Sequence, residues 1–461
     1  MSDETALPPA ALTWLHRAVL VTALLAEAAG LLMITKPWHP LSGRDVLSYE
    51  VFAAMFFCSA LLALPRCGLR PRAGVMLVFV VAFALNIIGL LSAPTSSDDD
   101  FRYAWDAKVQ LAGIDPYRYA PADPHLAPLH EPFLFPPARP CTRHEAPGDV
   151  CAEINRPTVH TIYPPVAQAA FVAMRAASLG GKGGHLPLQI AEILASLGVA
   201  VLLARAGAQL WQVALWAWCP ITVLELANNA HIEGVAVLLS IAAVVAARDG
   251  KVKASGLWLG AAIATKLYPA LLLPALLRRR PLVVAATTVS FVVLSYLPHI
   301  AVVGKDVIGY LPGYLHEGDY LSGGRFLLLG LVMPHSVAPY VAAVLLLAAA
   351  FWVWRNADPK QPERGALYLV GMFFLIATPN LSWYSLLLLA LAAFAARPEW
   401  LLVIAAPTVI YLGVKRGWDP TVVGPLFYGL GAVIVLSAVL ARIALQNNDI
   451  WARGSRLPTP R

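Results

Sequence analysis

Long apolar runs separated by short polar breaks dominate the chain. The runs 74–92, 187–204, 281–298, 336–354 and 421–444 each come near the ~20 residues that a helix needs to cross a hydrocarbon core. About twelve such segments, some short or interrupted, can be marked out on this length rule. The pattern predicts an all-α fold, a polytopic transmembrane helical protein built as a single integral membrane domain over 1–461. Its parts are N-terminal helices in 12–92, a long first external loop in 93–160 after the span 74–92, and further helices and hairpins in 161–447. The run 12–34 reads as a span and not as a cleavable signal peptide, since it lacks a small-residue cleavage site and carries Glu27.

The polar breaks orient these spans. The segment 65–73 carries Arg66, Arg70 and Arg72 and no acid, which marks it as cytoplasmic by the positive-inside rule. Residues 93–160 then fall on the opposite face. Arg248–Lys253, Arg278–Arg280 and 355–364 also read as cytoplasmic. Between 160 and 248 the parity does not close, because 163–178, 187–204, 211–227 and 230–247 do not all fit as crossings. The segments 255–277 and 365–396 are basic at both ends and interrupted by Pro269 and Pro379. Each reads as a helical hairpin that enters from inside and returns, and irregular backbone at depth needs a protein-lined cavity.

Composition sharpens this reading. Of 461 residues, 59% are hydrophobic and 13% charged, against about a quarter charged in soluble domains. The net charge of +7 lies at the ends of apolar runs, so it reads as topology signal and contact with membrane lipid, not as a nucleic-acid surface. Of five cysteines, Cys141 and Cys151 lie in the long loop. They are a disulfide if the loop is outside, or else two free thiols. No Cys/His cluster points to a metal, and no cofactor is called for. No phosphate-binding glycine loop or soluble nucleotide-sugar domain is present.

Candidate chemistry concentrates at the membrane boundaries. Asp98, Asp99 and Asp100 open the loop. Such carboxylates serve as a general base, as weak cation ligands, or as an acidic turn that caps the next helix. On a helix Arg102 and Asp106 share a face, and such a helix would lie flat in the interface, anchored by Phe101 and Trp105. Lys266 lies between apolar runs, where it either holds a lipid phosphate or snorkels to an interface. His231 and Glu233, two apart on a helix, do not share a face, which argues against a metal pair. One of them facing a cavity would contact sugar or phosphate, with helix capping as the alternative. Trp383 and Tyr384 suit stacking on a sugar or prenyl chain, or an interfacial belt. His316, Glu317, Asp319 and Arg325 are acceptor contacts or solvated surface.

The run Asp98–Tyr119, with its Asp-Asp-Phe-Arg-Tyr, Trp105-Asp106 and Gly113-Ile114-Asp115-Pro116-Tyr117, resembles the first external loop of the GT-C superfamily of membrane glycosyltransferases. It is most similar to the bacterial polyprenol-phosphate-mannose-dependent mannosyltransferases, glycosyltransferase family 87 and relatives. Ala107 stands where those relatives often have Gly. The resemblance continues at Thr161-Ile162-Tyr163-Pro164-Pro165, at Glu225 through Glu233 (with Asn229 where Gly is usual), at Ala264 through Pro269 and at Thr378 through Tyr384. It implies a GT-C-like fold and an essential acid in the first external loop. Aligned on the family pattern, Asp99 is the catalytic candidate, with Asp98 and then Asp100 beside it. Arg102, Tyr103, Tyr163, His231, Glu233, Lys266, Tyr268, Trp383 and Tyr384 are the substrate-binding candidates.

The function so implied is inverting transfer of a hexose, mannose by the resemblance, from a polyprenyl-phosphate donor to a glycolipid or cell-envelope glycan acceptor. It would take place in the cell membrane, with the active site facing the periplasm or exterior. Asp99 would take the acceptor proton, and Lys266 or Arg102 would stabilise the leaving phosphate. The rival reading is a polar-lipid transporter or flippase without chemistry. It requires a matched polar set in the cytoplasmic half, where the sequence has none as dense, and there is no clear internal repeat.

Overall fold

The computed structural model describes residues 9–36, 43–137, 141, 144–146, 148, 150–178 and 184–454. Among these the chain is a bundle of helices with one short antiparallel hairpin, His144–Ala146 against Val150–Ala152. Eight helices are long and apolar enough to cross a membrane, or nine if the bent pair Leu210–Ala217 and Pro220–Asn228 is one span. Two shorter apolar helices, Val252–Ile263 and Ser382–Phe394, accompany them. The apolar segments therefore outnumber full-length spans, because several end at a proline or a turn halfway. Helices Pro281–Val303, Ala338–Asn356 and Pro420–Gly454 expose Leu294, Val302, Leu347, Phe351 and Leu436, faces that lipid can solvate but water would not.

The bundle has two unlike ends. At one end Arg17 donates to the Cys67 carbonyl, Arg248 to Ala206 and Arg278 to Trp354 and Ala357. The loop 93–160 occupies the other end. Parity between 160 and 248 closes once each segment is traced. Helix Pro165–Ala176 is not a crossing: Arg175 at its end still pairs with Glu131 of the loop. Leu186–Arg205 runs to the basic end, the bent pair returns, and Glu233–Arg248 descends again.

Both expected hairpins are present. Helix Val252–Ile263 stops at Ala264, and the chain turns through Lys266 into Tyr268–Leu272 and Leu273–Leu276. The carbonyl of Ala264 accepts from the backbone N–H groups of Val166 and Ala167. This pins the turn to the start of helix Pro165–Ala176. Pro362–Ala377 likewise stops at Thr378, a non-glycine residue at φ 38°, and the chain returns through Ser382–Tyr384 into Ser385–Phe394. A left-handed threonine costs on the order of 1 kcal/mol or more. Here its hydroxyl donates to the Arg325 carbonyl and accepts from the Leu327 N–H.

The loop 93–160 is a folded cap. Its helix Asp99–Leu111 packs Trp105 against Phe135 and His130 and leaves it 1% exposed. The expectation of a helix anchored in lipid by Phe101 and Trp105 is thus corrected. Trp105 joins a local apolar cluster with Leu126, Leu134 and Ile154, and Phe101 packs at its edge. Cys141 and Cys151 are joined in a disulfide.

Candidate active site

The three adjacent carboxylates point three ways, since successive helical residues are about 100° apart around the axis. Asp98 stands at the N-cap position and its carboxylate accepts from Asn155 Nδ2 at 2.8 Å and lies 3.0 Å from His144 Nε2. Asp100 turns inward to His185 Nδ1 and is 1% exposed. Burial pushes its carboxyl above the ordinary range, while the hydrogen bond and charge of His185 oppose that shift. Asp99 lies between them. Its Oδ1 accepts from Asn155 at 2.8 Å, its Oδ2 accepts from the Tyr163 hydroxyl at 3.2 Å, and His231 Nδ1 is 3.7 Å away. The Asp99 side chain remains 17% exposed.

The turn that delivers these acids is held from below. The bent span ends in a π-helical turn, Val223–Asn228, a distortion that often marks functional sites. It aims two asparagines at the segment before the acids. Asn228 Oδ1 accepts from the Thr95 N–H and hydroxyl, and Asn229 Oδ1 accepts from the Ser96 N–H. Asn229 Nδ2 donates to the Ser96 hydroxyl and to Glu225. Ala230 follows at φ 57°, so the chain is not helical from 229 to 232. The expectation that helical spacing sets His231 and Glu233 apart is therefore corrected: His231 Nδ1 is 3.9 Å from Glu233 and its Nε2 is 3.3 Å from Glu225.

The hairpin turns complete the recess. Lys266 Nζ sits 2.8 Å from Glu233 Oε1 and 4.9 Å from the centre of the Tyr163 ring, and its side chain is 13% exposed. A cation buried to this degree is held by its paired carboxylate. The Trp383 ring stacks on His231 with centroids 4.0 Å apart. Tyr268 meets Tyr384 edge-on, and the Tyr384 hydroxyl pairs with that of Tyr314. Tyr163 is a hydrogen-bond donor here, because burial and then the Asp99 charge push its phenol above the ordinary range.

Asp99, Tyr163, His231, Glu233, Lys266, Tyr268, Trp383 and Tyr384 are thus brought together from five stretches of chain. Tyr103 stands behind them, stacked on Phe171 and edge-on to Tyr163. Arg102 is elsewhere. Its guanidinium binds Asp106 at 3.0 Å and the Val159 carbonyl at 3.2 Å and is 5% exposed. The expectation that Arg102 stabilises a leaving phosphate is corrected on this ground: it cross-links the cap. Of the second polar segment, Glu317 is paired with Arg156 of the cap and Arg325 donates to the Gly318 carbonyl. Asn155, His144 and His185 were not singled out from sequence. They lie far from the acids in sequence, and no local motif marks them. Among the described residues no group of three or more His, Cys, Asp or Glu is arranged to hold a metal ion.

This geometry suits proton removal beside a fixed cation. Comparison with known proteins gives it a class. The family model described as Glycosyltransferase family 87 matches residues 161–379. The match takes in Tyr163, His231, Glu233, Lys266 and Tyr268 and leaves out Asp98–Asp100, Trp383 and Tyr384. No curated protein and no solved structure matches the chain. The chain is thus similar to glycosyltransferase family 87 over residues 161–379, which is consistent with a GT-C-like membrane glycosyltransferase.

Proposed function

We propose that this enzyme transfers a hexose from a polyprenyl-phosphate donor to a hydroxyl of a glycolipid or cell-envelope glycan, at the outer face of the cell membrane. Mannose is the sugar that the resemblance favours. The observation that carries the reading is the convergence of a partly open Asp99 carboxylate and the Lys266 ammonium on Tyr163, the one at its hydroxyl and the other over its ring. The Asp99 carboxylate takes the proton of the acceptor hydroxyl as its oxygen attacks the anomeric carbon. The bond from that carbon to the phosphate oxygen breaks, and polyprenyl phosphate leaves with the electron pair. Lys266 lies where a cation would stabilise the charge that develops on that oxygen. Trp383 and Tyr384 offer aromatic faces to the sugar or the prenyl chain. By the resemblance, a β-linked donor gives an α-linked product in one displacement.

A lipid-linked donor fits the surroundings, since the recess is framed by two hairpin turns that join short apolar helices. The arginines at the basic end of the bundle support a cytoplasmic placement of that end by the positive-inside rule, and with it the far face for Asp99. The test is transfer of label from a panel of polyprenyl-phosphate sugars in membranes that contain the chain. Transfer from the mannose-bearing member supports the reading. Transfer from another member changes the sugar. No transfer from any member, with the chain present and folded, overturns it.

A further inference from the structure

Two like charges side by side at the mouth of a recess repel, and something must hold them in one arrangement. In this chain a single amide group bridges the two. Asn155 Nδ2 donates to Asp98 Oδ1 and to Asp99 Oδ1, each at 2.8 Å. Both protons of the NH2 group are thereby used, one on each carboxylate. The second oxygen of Asp99 is left to face Tyr163 and His231.

The position of Asn155 is itself built. Its neighbour Ile154 is 0% exposed in the cap cluster with Trp105, Leu126 and Leu134. The N–H of Glu153 donates to the Leu134 carbonyl at 2.9 Å. Immediately before them stands the strand Val150–Ala152, tied to Cys141 through Cys151. Its partner strand begins at His144, which reaches the outer oxygen of Asp98 at 3.0 Å. Two of the donors on the acids, His144 and Asn155, thus come from the start of one strand and just past the end of its partner, which meet at one end of the stapled hairpin.

We propose that Asn155 is a positioning residue for the transfer reaction. It pins Oδ1 of Asp99 against Asp98 and so presents Oδ2 as the oxygen that receives the acceptor proton. The external cap is by this account part of the catalytic apparatus and not only a cover. The proposal rests on the reading of Asp99 as the base. A base held by a charge-assisted hydrogen bond keeps its reactive oxygen aligned, and a displacement on the order of 1 Å costs about 100-fold in rate.

The experiment compares Asn155→Ala, Asn155→Asp and Asn155→Gln with Asp99→Asn, in membranes, using the polyprenyl-phosphate sugar that the wild type turns over. Protein level and thermal unfolding in detergent are followed for each. Asn155→Ala should lower kcat by about 10- to 100-fold and leave the donor KM within about threefold, since it misaligns the base without touching the donor. Asn155→Asp fills the same volume but adds a third carboxylate, so it should lose more than Asn155→Ala. Asn155→Gln keeps the amide and should recover part of the loss. A packing role would rank the variants the other way, with isosteric Asp milder than Ala, and that order overturns the proposal. So does kcat within twofold of wild type in Asn155→Ala and Asn155→Asp while Asp99→Asn is inactive. Full activity of Asp99→Asn would instead bring down the reading of the base itself.

Discussion

At the scale of single residues, the three acids do three different things although they are adjacent. Asp99 alone keeps an oxygen toward the recess, whereas Asp100 is sealed against His185. Asp99→Asn preserves shape and removes the base, so turnover should fall by ~100-fold or more, the usual weight of a positioned acid or base. Asp98→Asn should cost less, and Asp100→Asn should show first as weaker folding, read as a lower unfolding temperature. Near wild-type transfer in all three single variants and in the triple variant would end the mechanism. Lys266 carries a second prediction. It is paired with Glu233, so Lys266→Gln leaves a buried carboxylate without its cation. Weak donor binding alone would not separate a phosphate contact from that strain. Lys266→Gln with Glu233→Gln removes the strain. If donor KM stays raised in the double variant and Lys266→Arg retains part of the activity, Lys266 serves the phosphate. Recovery of wild-type KM in the double variant makes it a structural cation.

At the scale of elements, close helix contacts and one disulfide hold the frame. Helix Val252–Ile263, which ends at the Lys266 turn, meets Pro281–Val303 through Gly256 and Gly260. A Cβ on Gly260 would lie 2.7 Å from Phe291 Cβ and 2.9 Å from the Thr288 carbonyl, and one on Gly256 2.7 Å from the Val284 carbonyl. Two glycines four apart let helix backbones approach as membrane helix pairs commonly do. Gly260→Val should push the pair apart and destabilise by about 1–3 kcal/mol, as overpacking does. The unfolding temperature of the purified variant in detergent checks it, and an unchanged value would refute the contact. The cap carries a separate prediction. Cys141 and Cys151 are bonded, while Cys58, Cys67 and Cys219 are free. A thiol count under denaturing, non-reducing conditions should find three of the five cysteines reactive. Five would remove the staple from the hairpin that carries His144.

At the scale of the whole molecule, the bundle separates an arginine-rich end from an end that bears the recess. In the proposed orientation the first faces inward. A cysteine introduced at Ala120 of the cap should then react with an impermeant reagent in intact cells. Labelling only after permeabilisation would place the cap, and Asp99 with it, inside. The same arrangement gathers Asp99, Glu225, His231, Glu233 and Lys266 at one end, while Glu27, Gln212 and Glu363 are buried elsewhere in the bundle. Glu225, His231 and Glu233 are all nearly fully buried, at 4%, 0% and 0% exposure. Ionisable groups so placed in a membrane protein are costly and are usually retained for function.

Sequence by itself determined the class of the fold, the two hairpins and most of the candidate site. Spanning-length apolar runs, prolines inside them and lone charges at their ends are local signals, fixed by the cost of placing polar groups in lipid. That cost also marked Lys266, while the acids at Asp98–Asp100 stood out by the resemblance of their run to the family pattern. Tertiary structure alone decided which of three neighbouring carboxylates faces the recess, since all three are chemically alike and only the groups opposite them differ. It moved Arg102 from the substrate to the cap, because Asp106, Val159 and Thr161 meet there only after the loop closes. It brought His231 beside Glu225 and Glu233 through a π turn and a left-handed Ala230, where helical spacing had set His231 and Glu233 apart. Asn155 was silent in the sequence for the same reason. It lies 56 residues from Asp99, and an amide on a loop acquires a role only from what the fold sets within hydrogen-bond reach.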